Sequence, residues 1–175
     1  MDIDTNLLAT AERLFDQDGF HATGMGRLVE ESGLSSRTVY KHVGSKNALM
    51  ARVLAARGDR FFAHADFTST RALFDSVALW ARREGARGCL FFRLRAETGG
   101  AVPEIEAAVA AYHAQLHARL AALVRQETGA ADPTLTDQLL ALFEGATTAA
   151  TYRGPAVIEA AGACAVHLIE RGRSS

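Results

Sequence analysis

The stretch Gly33-Leu34-Ser35-Ser36-Arg37-Thr38-Val39-Tyr40-Lys41-His42-Val43-Gly44-Ser45-Lys46 decides how this chain is read. Ser35 can open a short helix, because its hydroxyl can accept from the first-turn amides. That helix is expected to run to about Val43 and to end at Gly44. Leu34, Val39 and Val43 can face a core, which leaves Ser35, Ser36, Arg37, Tyr40, Lys41 and His42 facing outward. Upstream, another short helix is expected from about Gly24 to Ser32, with Met25, Leu28 and Val29 inward, and Gly33 breaks it. Two short helices around a glycine-containing turn make a helix-turn-helix. The second helix of that motif enters a DNA major groove about 12 Å wide. Arg37 or Lys41 could reach a guanine edge there. Lys46 stands where a fourth helix begins, so its ammonium and the free N–H groups could hold one phosphate together.

Working outward, the rest of the chain also reads as helices. Ile3, Leu7, Ala11 and Leu14 recur at helical spacing, with Leu8 and Phe15 beside them, until Gly19. Ser45 can cap a fourth helix lasting to about His64. Ser69 or Thr70 opens a helix carrying Leu73, Val77 and Trp80. After Gly85 and Gly88 comes a short apolar piece, Cys89 to Thr98, then a loop marked by Gly99, Gly100 and Pro103. A long amphipathic helix follows, with Ile105, Val109, Tyr112, Leu116, Leu120 and Leu123 on one stripe. Asp132-Pro133 and Pro155 open two closing helices, expected over roughly Pro133–Tyr152 and Pro155–Arg171. Strand patterns are absent. The expected class is all-α with about nine helices. The expected division is a helix-turn-helix domain over 1–47 and a helical domain over 48–175, with the fourth helix connecting them.

Composition sets the bounds. The chain has 175 residues, 49% of them apolar and 22% charged, which fits a folded protein rather than a disordered one. The net charge of -1 conceals an asymmetry. From Ser35 to Arg60 the basic residues are Arg37, Lys41, Lys46, Arg52, Arg57 and Arg60, against the single acid Asp59. The preceding segment is acidic, through Asp2, Asp4, Glu12, Asp16, Asp18, Glu30 and Glu31. A near-neutral protein can therefore own a basic face. The two cysteines, Cys89 and Cys164, have no close spacing and read as buried thiols. The six histidines show no ligand spacing, so no metal and no cofactor is expected. No signal peptide or membrane-length apolar run is read, which makes the cytoplasm the expected location.

Between Leu7 and Leu49 the chain closely resembles the tetracycline-repressor (TetR/AcrR) family of bacterial regulators. The likeness lies in Ala11-x-x-Leu14-Phe15, Gly19-Phe20-x-x-Thr23, Leu28-Val29-x-x-Ser32-Gly33-Leu34-Ser35, Thr38-Val39-Tyr40-x-His42-Val43 and Ser45-Lys46-x-x-Leu49. It is looser at Gly88-Cys89-x-Phe91, which is similar to one subgroup. The resemblance implies a homodimeric, ligand-responsive regulator, a repressor by family default, on a palindromic double-stranded operator. It implies phosphate contacts from Thr23, Tyr40, His42 and Lys46, with Ser35, Ser36, Thr38, Arg37 and Lys41 on the recognition helix. Arg37 and Lys41 fall at variable positions, where sequence preference is expected. Gly24 and Gly26 depart from the family pattern; Gly26 cannot supply a base contact, and Arg27 beside it is the candidate to compensate.

For the C-terminal helices the resemblance implies a pocket for an unidentified, largely apolar effector and a four-helix dimer bundle. Candidate pocket walls are Trp80, Phe91, Phe92, Tyr112, Leu116 and Phe143. Candidate polar anchors are Arg93, Arg95, His113, Thr147 and Thr148. The dimer face is expected from Leu139, Leu142, Ala146 and Ala149, together with Val157, Ala161, Cys164 and Leu168. Two rivals stand beside this reading. An enzyme could use His113 or His117 as a base, but paired carboxylates, a nucleophile elbow and a metal set are lacking. A helical small-molecule-binding or protein-interaction module without operator binding would leave Arg37, Lys41 and Lys46 unexplained.

Overall fold

The computed structural model describes residues 2–173. Those residues form nine α-helices in the order α1 (Ile3–Asp18), α2 (Met25–Ser32), α3 (Ser36–Val43), α4 (Lys46–His64), α5 (Thr70–Glu84), α6 (Leu90–Thr98), α7 (Pro103–Thr128), α8 (Pro133–Arg153) and α9 (Ala156–Gly172). The all-α expectation holds. Pro155 lies one position outside the last helix, at its cap, rather than at the first helical position. None of the described helices is long and apolar enough to cross a membrane.

The helix ends follow local chemistry. Ser35 caps α3 by accepting from the Thr38 amide, and Ser69 caps α5 by accepting from Ala72. Asp132 caps α8 by accepting from Leu135, just ahead of Pro133. The Ser45 hydroxyl accepts from the Ala48 amide at 3.1 Å and so closes the start of α4. Between α2 and α3 the chain reverses through Gly33, whose φ of +66° and ψ of 15° are left-handed. A side chain would cost roughly 1–2 kcal/mol in that conformation, so glycine fixes the turn of the motif.

The chain divides into two compact units. One holds the chain up to Arg60 together with Leu90–Tyr112; the other holds Phe61–Cys89 and the chain from His113 onward. The expected boundary after residue 47 therefore falls inside α4, and both α4 and α7 contribute to two units.

In the first unit the buried residues are those the periodicity selected. They include Leu7, Ala11, Leu14 and Phe15 of α1, Leu28 of α2, and Val39 and Val43 of α3. Leu49, Met50, Val53 and Leu54 of α4, Leu90 and Leu94 of α6, and Ile105 and Val109 of α7 join them. Met25 and Val29, expected inward, are only half-buried, because an eight-residue helix offers one narrow inward stripe, and Leu34 in the turn is half-buried as well.

The second unit is a layered bundle in which α9 packs against both α5 and α8. Phe74 of α5 lies edge-on to Phe143 of α8, and Phe143 lies edge-on to Phe61. The approach of α5 to α9 depends on Gly162: an added Cβ would lie 2.6 Å from the Cβ of Phe74. Gly162→Ala should therefore lower the unfolding free energy by about 1–3 kcal/mol through overpacking, despite alanine's better helix propensity. Urea unfolding followed by circular dichroism measures this directly.

Candidate nucleic-acid interface

Helix α3 separates its two faces cleanly. Val39 and Val43 are buried, while Ser36, Arg37, Tyr40 and Lys41 are exposed. At 3.6 residues per turn those four positions span an arc of about 140°, so they form one continuous outer surface. Ser35 and Thr38 border it; the Ser35 hydroxyl lies 2.8 Å from that of Thr38 as well as capping the helix. The two hydroxyls are thus engaged with each other at the helix start.

Other expected contacts are drawn inward. Thr23 is fully buried, and its hydroxyl donates to the Gly19 carbonyl at 2.8 Å. It closes the α1–α2 turn, so the hydroxyl expected at a phosphate is engaged within the chain. His42 is half-buried, with Nδ1 2.9 Å from Asp4 of α1. That hydrogen bond holds the Asp4 carboxyl below the usual carboxylate range; desolvation opposes the shift and the charge of Arg52 adds to it. Arg52 also pairs with Asp4 at 3.1 Å and donates to the His42 carbonyl at 2.9 Å. Arg27 is exposed and pairs with Asp18 at 3.0 Å.

The basic segment is consequently less free than its charge count implies. Arg57 and Arg60 both donate to Glu12 of α1, at 2.8 and 2.6 Å. The Arg57 and Glu12 side chains are only 9% and 15% exposed, so this pair is interior. The acids of α1 thus neutralise the basic residues of α4. Lys46, the first residue of α4, lies with its Nζ 4.3 Å from the centre of the Phe20 ring. Burial lowers the pKa of its ammonium, and the nearby Glu97 carboxylate opposes that shift.

Glu97 was not singled out from the sequence. It lies on α6, and its two carboxylate oxygens accept from the Phe20 amide at 3.1 Å and the His21 amide at 2.7 Å. The His21 ring lies 3.1 Å from the Glu97 carbonyl. One turn away, Arg93 donates to the side chain and the carbonyl of Asp16, at 2.8 and 2.9 Å. Arg93, expected as a pocket anchor, instead ties α6 to the end of α1. Sequence separations of 76 and 77 residues leave no local motif that could have announced these contacts.

The candidate effector residues fall in both units. Phe91 and Tyr112 belong to the first, where their rings stack 3.7 Å apart. Trp80, His113, Leu116, Phe143 and Thr147 belong to the second. There Trp80 packs edge-on to Phe61, and Leu116 and Phe143 are buried. Phe92 is 56% exposed, unlike the buried Phe91, Tyr112 and Phe143. Burial raises the Glu144 carboxyl above its ordinary pKa.

The candidate dimer residues also divide. Leu139 and Ala146 are buried within the chain, so they have no surface to give a second copy, because α8 turns that stripe toward its own bundle. Leu142, Ala149, Val157, Ala161 and Leu168 keep part of their surface and Cys164 is exposed. The cysteines form no disulfide, and neither is buried: Cys89 is half-buried and Cys164 is at the surface.

Three stability measurements separate these roles. Glu12→Gln removes the half-buried carboxylate that Arg57 and Arg60 share and should cost about 3 kcal/mol in urea unfolding. Arg37→Ala and Lys41→Ala should stay within about 0.5 kcal/mol of the parent, as surface changes do. Glu97→Ala should speed hydrogen exchange at the Phe20 and His21 amides by about tenfold, equivalent to about 1.4 kcal/mol.

Residues 7–53 match the family described as bacterial regulatory proteins, tetR family. A search of curated proteins gives no significant match. Among solved structures, a tetR-type transcriptional regulator of Streptomyces avermitilis is similar over 98% of this chain and 98% of its own, at 25% identity and a TM-score of 0.83. A TetR-family transcriptional regulator of Streptomyces coelicolor is similar over 98% and 96%, at 23% identity and a TM-score of 0.77. A TetR transcriptional regulator of Legionella pneumophila shares the fold over 98% and 97%, at 19% identity and a TM-score of 0.77. Residues 7–53, which hold the helix-turn-helix, thus match the tetR family of bacterial regulatory proteins, and nearly the whole chain shares the fold of solved TetR-family transcriptional regulators.

Proposed function

We propose that the protein is a cytoplasmic, ligand-responsive repressor that binds a palindromic operator as a homodimer. The observation that carries this reading is the outer face of α3. Ser36, Arg37, Tyr40 and Lys41 are exposed together on a helix whose other side is buried through Val39 and Val43. A helix so mounted can enter a major groove without unfolding its support. Arg37 and Lys41 read base edges, and Tyr40 and Ser36 approach phosphates. Ser35, Thr38, His42, Lys46 and Arg27 border the contact; Lys46 reaches a phosphate by swinging from the Phe20 ring.

The dimer reading rests on helical phase. Val157, Ala161, Cys164 and Leu168 follow one another at steps of four, three and four residues along α9, the period of a packed helix pair. Leu142 and Ala149 lie one heptad apart on α8. In this reading the six partly or fully exposed side chains meet the same stripe of a second copy, and the two α3 helices then address half-sites about 34–36 Å apart. An apolar effector is held in the second unit among Trp80, His113, Leu116, Phe143 and Thr147, by induced repacking. Its effect on DNA equals its differential affinity for the two states of the dimer, and DNA must weaken its binding by the same factor.

The test is a binding titration with duplex DNA from upstream of the protein's own gene, at two salt concentrations. Affinity should fall steeply with salt yet keep its sequence preference. Arg37→Ala should cost about 1–3 kcal/mol and relax the preference at one base pair, whereas Lys46→Ala should weaken all sequences about equally. Ala161→Glu should yield monomers by analytical ultracentrifugation and abolish two-half-site binding. Binding without sequence preference, unaffected by Arg37→Ala, would favour a helical interaction module instead.

A further inference from the structure

We propose that Cys89, His113 and Glu144 form a binding site for a divalent transition-metal ion of the zinc type, with three protein ligands and one coordination position left open. The three residues lie in one compact unit but on separate stretches of chain: just before α6, on α7 and on α8. Each offers one ligand atom, and these atoms all lie within 4.8 Å of one another. Around a tetrahedral zinc ion, bond lengths of about 2.0–2.3 Å place neighbouring ligand atoms about 3.4–3.6 Å apart. His113 Nε2 and Glu144 Oε1 are already 3.8 Å apart. The cluster therefore needs only about 1 Å of closure, which side-chain rotation can supply.

Two features point to a cation rather than to chance proximity. Oε1 of Glu144 is buried with no hydrogen-bond partner, and 3.8 Å is too long for His113 to satisfy it. An orphaned buried oxygen is destabilising, and a metal ion bound there would satisfy it. All three residues are half-buried, so an ion has access from solvent, and His113 and Glu144 are held on α7 and α8. The donor set selects the ion. Thiolate with imidazole favours zinc and its neighbours over magnesium or calcium, which take oxygen ligands. Three protein ligands with a fourth position open leave room for a water or for an anionic group of a small molecule. The absence of any local ligand spacing in the sequence follows from the three positions being 24 and 31 residues apart in the chain.

The test is titration of the reduced, metal-free, full-length protein with cobalt(II) as the optical probe, then with zinc by calorimetry. One ion per chain should bind. A sulfur-to-cobalt charge-transfer band with strong visible d–d bands should mark tetrahedral thiolate ligation. Cys89→Ser should remove the charge-transfer band, and His113→Ala and Glu144→Gln should each weaken binding by at least about tenfold. Cys164→Ser should leave both band and affinity intact. Circular dichroism of each variant establishes that it is folded. The proposal is overturned if the parent protein shows no charge-transfer band, if Cys89→Ser keeps it, or if folded His113→Ala and Glu144→Gln bind as tightly as the parent. Operator titration of the metal-free protein reports on the regulator reading separately.

Discussion

A single carboxylate organises the DNA-reading end of this chain. Glu97 reaches the two amides that begin the α1–α2 turn, and Arg93 from the same helix grips the end of α1. Those bonds join residues far apart in sequence, and α6 with the start of α7 belongs to the same compact unit as α1 to the first part of α4. The turn they hold carries Phe20, whose ring supports Lys46, and leads into α2. The orientation of the helix-turn-helix thus depends on a residue outside the motif.

Charge is spent in an orderly way within this unit. Glu12 neutralises Arg57 and Arg60, and Asp4 engages both His42 and Arg52. These pairs fasten α1 to α3 and α4. They also engage three of the six basic residues between 35 and 60, while Arg37 and Lys41 of α3 stay exposed. A recognition helix with few competing cations around it binds DNA less indiscriminately, because non-specific affinity grows with the number of phosphates neutralised. Thr23 is likewise engaged internally: its hydroxyl donates to the Gly19 carbonyl in the α1–α2 turn.

Much of the fold was legible because its signals are local. Ser35, Ser69 and Asp132 cap the helices they were expected to open, and Gly33 turns where a left-handed residue was needed. The outward positions of Ser36, Arg37, Tyr40 and Lys41 followed from placing Leu34, Val39 and Val43 inward, whereas His42, also expected outward, is half-buried. What the sequence could not convey was non-local. Whether a threonine, an arginine or a histidine points outward depends on partners that periodicity does not name, as Thr23, Arg57 and His42 show. Leu139 and Ala146 share helical character with Leu142 and Ala149, and only the packing of α9 on α8 decides which stripe turns inward. Cys89, His113 and Glu144 gave no motif because three separate stretches of chain, one ahead of α6 and the others on α7 and α8, bring them together.

The central claim is that the exposed face of α3 is what meets DNA, with Thr23 kept inside. A structure of the protein bound to its operator duplex tests this most directly. The account predicts α3 in the major groove, Arg37 and Lys41 within hydrogen-bond distance of base edges, and the Thr23 hydroxyl still on the Gly19 carbonyl. A complex in which another helix enters the groove, or in which Arg37 and Lys41 face solvent, would contradict it.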